Sequence, residues 1–155
     1  MKALTIKNPW ALLIAHGVKP IENRTWKTNF RGPFLIHTSQ KPIVMDCRND
    51  FWPFNNRAQI MDIQRKFNHK LGRWPDVLTS NNGCIIGQVD LIDCVQCHPS
   101  VWAEHKATKI KEVNGEKIEI EVPVYNWVLA NPVLYDKPIE NVKGALSLWK
   151  YPRAG

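Results

Sequence analysis

Apolar and polar positions fall into short segments along the chain. Residues 3–7 alternate loosely and predict a strand. Asn8-Pro9 then predicts a helix start, with Asn8 as N-cap and Pro9 at the first helical position. Trp10, Leu13 and Ile14 keep helical spacing, and Gly17 supplies the stop. After a turn-like stretch at 29–33, Phe34-Leu35-Ile36-His37-Thr38 predicts a compact buried strand. Residues 46–56, with Phe51-Trp52-Pro53-Phe54, predict an aromatic loop or broken helix. Residues 58–71 predict an amphipathic helix: Ile60, Ile63, Phe67 and Leu71 form its apolar stripe, and Arg57, Arg65, Lys66, His69, Lys70 and Arg73 occupy the other faces and ends.

The second half is richer in strands. Residues 84–95 predict one, with Gly87 as a bulge or a point of close backbone approach. Residues 109–122 predict a hairpin, because Asn114-Gly115 sits between two alternating stretches and suits a tight mirror-image turn. Residues 125–134 predict a strand broken at Asn131-Pro132, and 145–151 a closing strand. No repeat, low-complexity tract or composition break divides the chain. Many short strands with few helices point to a barrel or strongly curved sheet.

The chain has 155 residues, the size of one ordinary domain, so 1–155 is expected to fold as a single unit. A hydrophobic fraction of 44% and a charged fraction of 23% fit a globular protein and exclude disordered, collagenous and disulfide-scaffold classes. Lys plus Arg is 21 against 14 Asp plus Glu, giving a formal charge of +7, and there are seven tryptophans. Cations attract phosphates, and aromatic rings stack on bases. The longest apolar run, residues 10–15, is far too short for a membrane span, and the first residues lack the apolar core of a signal peptide. The expected compartment is the cytoplasm, with no membrane partner; a monomer is the default expectation.

Cys94-Val95-Gln96-Cys97-His98 matches the C-x-x-C-H signature of c-type haem attachment. The haem reading is set aside, since the motif continues a strand and the chain carries no export signal. Zinc is the alternative, with Cys94, Cys97, His98 and His105 as ligands. No second well-spaced pair exists, and adjacent Cys97 and His98 suit a tetrahedron poorly. The expectation is a buried Cys94, a loop His98, no metal and no cofactor.

A charged cluster follows the first helix. Gly17-Val18-Lys19-Pro20-Ile21-Glu22-Asn23-Arg24-Thr25-Trp26 carries two cations and a carboxylate, with Glu22 and Arg24 on one strand face. Such a set suits an anionic ligand: Lys19 as a point charge, Arg24 as a planar fork, Glu22 to orient either or to move a proton. A lysine crowded by Arg24 has its charged form disfavoured, which favours a nucleophile or base. An ordinary surface ion-pair network is the alternative.

Gly17, Lys19, Glu22 and Arg24 form a G-x-K-x-x-E-x-R pattern that resembles the hallmark of ASCH domains. Asn8-Pro9-Trp10-Ala11, Asn23-Arg24-Thr25-Trp26 and Arg31-Gly32-Pro33-Phe34-Leu35-Ile36-His37 are similar to the first half of that family. Residues 83–93, with Val89-Asp90, resemble its next strand, and 127–134 and 144–149 its last ones. The resemblance covers about 3–40, 83–95 and 125–151, which leaves 41–82 and 97–124 as insertions. It implies an α+β fold, a mixed β-barrel of the PUA-like type. A short N-terminal helix would cover the barrel and a longer amphipathic helix would lie in an insertion. It further implies a cleft for RNA, single-stranded nucleic acid or a nucleotide-like small molecule. The candidate ligand-binding residues are Lys19, Glu22, Arg24, Trp26, Trp10, His37, Ser39 and Trp127. Some family members are hydrolases of acylated cytidine nucleosides, and others are ribonucleases; the amidohydrolase branch uses a Lys, a Thr and a Glu. Here Lys19 matches the Lys, Glu22 stands at the Thr position and Gln88 at the Glu position, so an enzyme would rest on Lys19 as nucleophile or base and Glu22 as acid/base. A protein-interaction barrel without a ligand is the third reading.

Overall fold

A computed structural model of the chain describes residues 1–43, 53–54, 56–67 and 74–152. In chain order the elements are β1 (Lys2–Ile6), α1 (Trp10–Ala15), β2 (Ile21–Arg24), β3 (Gly32–Thr38), α2 (Arg57–Phe67), α3 (Trp74–Leu78), β4 (Ile85–Val95), β5 (Lys106–Val113), β6 (Glu116–Pro123), β7 (Tyr125–Ile139) and β8 (Leu148–Lys150). Six strands form one sheet in the order β2-β7-β4-β3-β1-β8, while β5 and β6 pair only with each other. The β1–β3 pair is parallel and the others are antiparallel, so the sheet is mixed, as the resemblance implied.

Burial on both faces explains why β3 reads as an unbroken apolar run. Leu4, Phe34, Ile36 and Ile86 join the large core with α1, whereas their neighbours Ala3, Leu35 and Ile85 join Trp149 in a smaller core on the other face. Helix α1 packs against β3, β4 and β7. It starts one residue later than expected, at Trp10, with Pro9 in the cap position. Asn8 still performs the capping chemistry: its Oδ1 accepts from the Leu12 N–H at 3.2 Å. Gly17, at φ 76°, ends the helix as expected, and the Val18 and Lys19 N–H groups both donate to the Leu13 carbonyl.

Strand β7 runs on to Ile139 instead of ending at 134, and Asn131-Pro132 is a bulge within it. Gln88 pairs with Val133 and Asp90 with Ala130, so two residues of β7 oppose one of β4 there. Gly87 is a point of close approach, since a Cβ there would lie 2.0 Å from the Val133 carbonyl oxygen. The hairpin starts earlier than its alternation suggested, at Lys106, and turns through Asn114 (φ 51°) and Gly115 (φ 79°). The closing strand is shorter than expected. Residues 145–147 lie outside it, and Ser147 takes φ 58°. The amphipathic helix is described as far as Phe67. Ile63 and Phe67 are buried and Ile60 packs on the core, while Leu71, His69, Lys70 and Arg73 lie outside the described residues, as does most of 46–56. The short helix α3 was not expected.

The sheet curls into a half-barrel. Arg24, on the edge strand β2, donates through Nη2 to the Thr5 carbonyl of β1 at 2.9 Å. Strand β8 pairs with β1 only from Lys2 to Leu4, so the far end of β1 is free to meet β2. At the first rung, the Met1 amino group donates to the Tyr151 carbonyl and the Tyr151 N–H to that of Met1. No helix of the described residues is long and apolar enough to cross a membrane.

Candidate functional site in the barrel seam

The gap between β2 and β1 is a cleft. Its middle part, about 390 Å³, lies between Thr5–Lys7, Glu22–Arg24 and residues 145–147, with Trp10 and Ser39 also on its walls. An inner chamber of about 150 Å³ shares Trp10, Glu22 and Asn23 with it and adds Lys19, Gln59, Trp102 and Glu104.

The charged cluster sits at this junction. Glu22 is buried between two cations: its Oε2 accepts from Arg24 Nη2 at 3.2 Å, and its Oε1 lies 3.7 Å from Lys19 Nζ. Oε1 also accepts from the Asn23 N–H at 3.0 Å. Lys19 is 4% exposed, so it is not the mobile rim charge that its sequence position suggested. Its Nζ donates to the Ile21 carbonyl at 2.5 Å and lies 5.5 Å from the Trp10 ring centroid. Burial pushes the Lys19 pKa below the ordinary lysine value. The carboxylates of Glu22 and Glu104 oppose that shift, and Arg24 adds to it in a minor way. Desolvation, rather than the Arg24 crowding read from the sequence, is thus the main cause.

The inner chamber is roofed by the inserted segments. Gln59 Nε2 donates to the Val101 carbonyl at 2.9 Å, and Trp102 Nε1 donates to Asp62 Oδ2 at 3.0 Å. Trp102 also meets Trp10 edge-on, with centroids 6.5 Å apart. Two amides anchor this roof to the barrel. Asn23 Nδ2 donates to the Trp102 carbonyl, and its Oδ1 accepts from the Glu104 N–H and from Asn126 Nδ2. Sequence reasoning missed Asn23, Gln59, Trp102 and Glu104. The available signal was Asn23 itself, a polar residue within the charged motif.

Of the eight candidate ligand-binding residues, Lys19, Glu22, Arg24, Trp10 and Ser39 line the cleft. Trp26 and Trp127 do not. Trp127 is fully buried, and the two indoles pack edge to face at 4.6 Å, with Trp127 Nε1 donating to the Trp26 carbonyl. Strand β2 ends at Arg24 and the chain bends, which carries Trp26 away from the face Glu22 and Arg24 share. His37 is a buried tie: Nδ1 bonds Thr5 Oγ1 at 3.1 Å, and Nε2 lies 2.7 Å from the Val142 carbonyl. Gln88 accepts from the Tyr135 hydroxyl at 3.0 Å on β4, away from the cleft walls.

At the C-x-x-C-H motif, Cys94 is buried and Cys97 exposed. His98 Nδ1 accepts from the Ser100 N–H, and His105 Nε2 lies 3.3 Å from the His98 carbonyl. Among the described residues, no group of three or more His, Cys, Asp or Glu converges as a metal site would require.

Two kinds of comparison bear on the chain. The family described as ASCH domain matches residues 4–139. Among curated proteins, the chain is similar to activating signal cointegrator 1 of Homo sapiens, 33% identical over 96 residues. The counterpart of Mus musculus is 32% identical over 96 residues. In both cases the match covers 59% of this chain and 14% of the relative's length.

Proposed function

The chain belongs to the ASCH domain family, and on that footing we propose that the barrel seam binds RNA or a nucleotide-like ligand. The observation that carries the reading is the convergence of Lys19, Glu22, Arg24 and Trp10 on one concave cleft. Arg24 uses Nη2 for both of its structural bonds, to Glu22 and Thr5, and so presents Nη1 and Nε to a phosphate. Exposed Lys7 supplies a second cation from the facing wall. Trp10, half-buried, offers an indole to a base, and a base–aromatic stack is worth about 1–3 kcal/mol. Lys19 and Glu22 lie too deep for backbone contact and suit the polar edge of a base. The test is fluorescence anisotropy with a labelled single-stranded RNA across a salt series. Affinity is expected to fall as salt rises, and Trp10→Ala to weaken binding about tenfold. Binding that ignores both salt and the loss of the indole would remove the reading.

A second reading is supported by one specific observation, the burial of Lys19 at a chamber wall with its charged form disfavoured. In a hydrolase of an acylated nucleobase, the neutral Lys19 amine takes a proton from water as the water oxygen bonds to the acyl carbon. The departing nitrogen then takes that proton as its bond to the acyl carbon breaks, with Glu22 holding the ammonium in between. Incubation with an N-acylated cytidine nucleoside tests it. Turnover that Lys19→Met abolishes while the variant still unfolds in one cooperative transition supports the enzyme; absence of turnover in the unaltered protein rules it out.

A further inference from the structure

The cleft does not end at the seam. Thr5 and Ser39, on the wall of the middle chamber, are also walls of a groove of about 840 Å³. Three cavities therefore follow one another along the barrel edge: the inner chamber at Lys19, the seam at Arg24, and this groove.

The groove differs chemically from the other two. Its lining carries the amides of Gln40, Asn81, Asn82 and Asn141, of which Asn82 is already bonded to Asn8 and the Thr79 carbonyl. Its formal charges, Glu140 and Lys143, cancel. A groove without net charge does not attract phosphate. An amide presents a donor and an acceptor side by side, the arrangement that complements the edge of a base such as adenine. The cations for the backbone, Arg24 and Lys7, stay in the seam.

The groove is also built in advance. The Val142 N–H donates to the Gly83 carbonyl at 3.1 Å, and the Gly83 N–H to that of Thr38 at 3.0 Å, which ties the two walls together. Asn81 and Asn141 hold left-handed backbone, at φ 54° and 56°, where asparagine is among the few residues accommodated. Walls fixed before binding spare the ligand an ordering cost.

From this continuity we infer that the protein takes a single strand of two or more nucleotides, with one nucleotide in the seam and the next base in the amide groove. The inference rests on the nucleotide-binding reading of the seam. The experiment compares a mononucleotide with a single-stranded RNA tetranucleotide, using the tetranucleotide as labelled probe and the mononucleotide as competitor. The unaltered protein is expected to bind the tetranucleotide about tenfold tighter, the scale of one or two added hydrogen-bonded base contacts. Paired Asn81→Gly and Asn141→Gly substitutions keep both left-handed turns and remove two amides, so most of that gain is expected to vanish while mononucleotide affinity stays. Gln40→Ala, outside any left-handed position, is expected to act in the same direction and guards against a loosened turn. Equal affinity for the two ligands in the unaltered protein overturns the inference and leaves the seam reading standing. So do variants that weaken both ligands alike while melting normally. Failure of both ligands to bind removes the seam reading, and the inference with it.

Discussion

Replacing Glu22 by Gln probes the seam most directly. The glutamine keeps the shape and removes the charge that sits between Lys19 and Arg24. The Glu22 side chain is 7% exposed and contacts the Asn23 N–H, Arg24 Nη2 and Lys19 Nζ at 3.0, 3.2 and 3.7 Å. Removing one partner of a buried ion pair costs about 3–5 kcal/mol, because the remaining charge stays desolvated. Two features place this case at the low end. Arg24 keeps the Thr5 carbonyl and is 25% exposed, and Lys19 keeps the Ile21 carbonyl and can shed its proton. The expected loss is about 3 kcal/mol. For a chain of this size that lowers the melting temperature by about 6–12 °C. The assay is urea unfolding of the unaltered protein, Glu22→Gln, Lys19→Met and the double variant at neutral pH. Because the two side chains meet, the double variant should lose less than the sum of the single losses, with a coupling of about 1–2 kcal/mol. A Glu22→Gln protein within about 0.5 kcal/mol of the unaltered one, or an additive cycle, refutes the claim that the buried carboxylate holds Lys19 and Arg24 in place.

Further predictions concern pH, phosphate contact and backbone packing. The folded-state pKa of Lys19 lies below the unfolded value of 10.5. Between those two values the unfolded chain binds more protons, so Lys19 makes a contribution to stability that rises with pH through that window and is absent below it. Unfolding curves at neutral and alkaline pH should therefore show a smaller alkaline gain, or a larger alkaline loss, in Lys19→Met; parallel pH profiles for the two proteins count against it. Arg24→Gln should reduce the slope of log affinity against log salt for single-stranded RNA by about 0.7, the share of one phosphate contact, and an unchanged slope places the phosphate elsewhere. Gly87→Ala should cost about 3 kcal/mol by thermal melting, the upper end for overpacking, because the new methyl meets the backbone oxygen of Val133 rather than a yielding side chain.

The parts of the fold that a sequence shows are those set by nearby residues. Asn114-Gly115 announces its turn because both positions need left-handed backbone, and Gly17 ends α1 for the same reason. The Lys19–Glu22–Arg24 cluster was legible because a single turn and a short strand hold all three. Trp102, Glu104 and Gln59 reach the same chamber from segments far along the chain, and no spacing rule links them to Lys19. The placing of the tryptophans turns on a similar point. Period-two alternation would put Trp26 on the face of Glu22 and Arg24 only if β2 continued, and it stops two residues earlier. His37 was read as a ligand group because it is polar at the end of a strand. That strand is buried on both faces, so the ring is held by Thr5 and Val142, and it borders the amide groove rather than the seam.

The first rung beside β1 and β8, where Met1 and Tyr151 exchange hydrogen bonds, puts the two ends of the described fold side by side. Splicing such a unit into a surface loop of a host protein asks that loop to bridge little more than the width of a strand pair, so the closure entropy of the host changes slightly. The geometry suits a portable cassette, and permutants that join residues 1 and 151 through a short linker while opening the Asn114-Gly115 turn should keep the barrel intact.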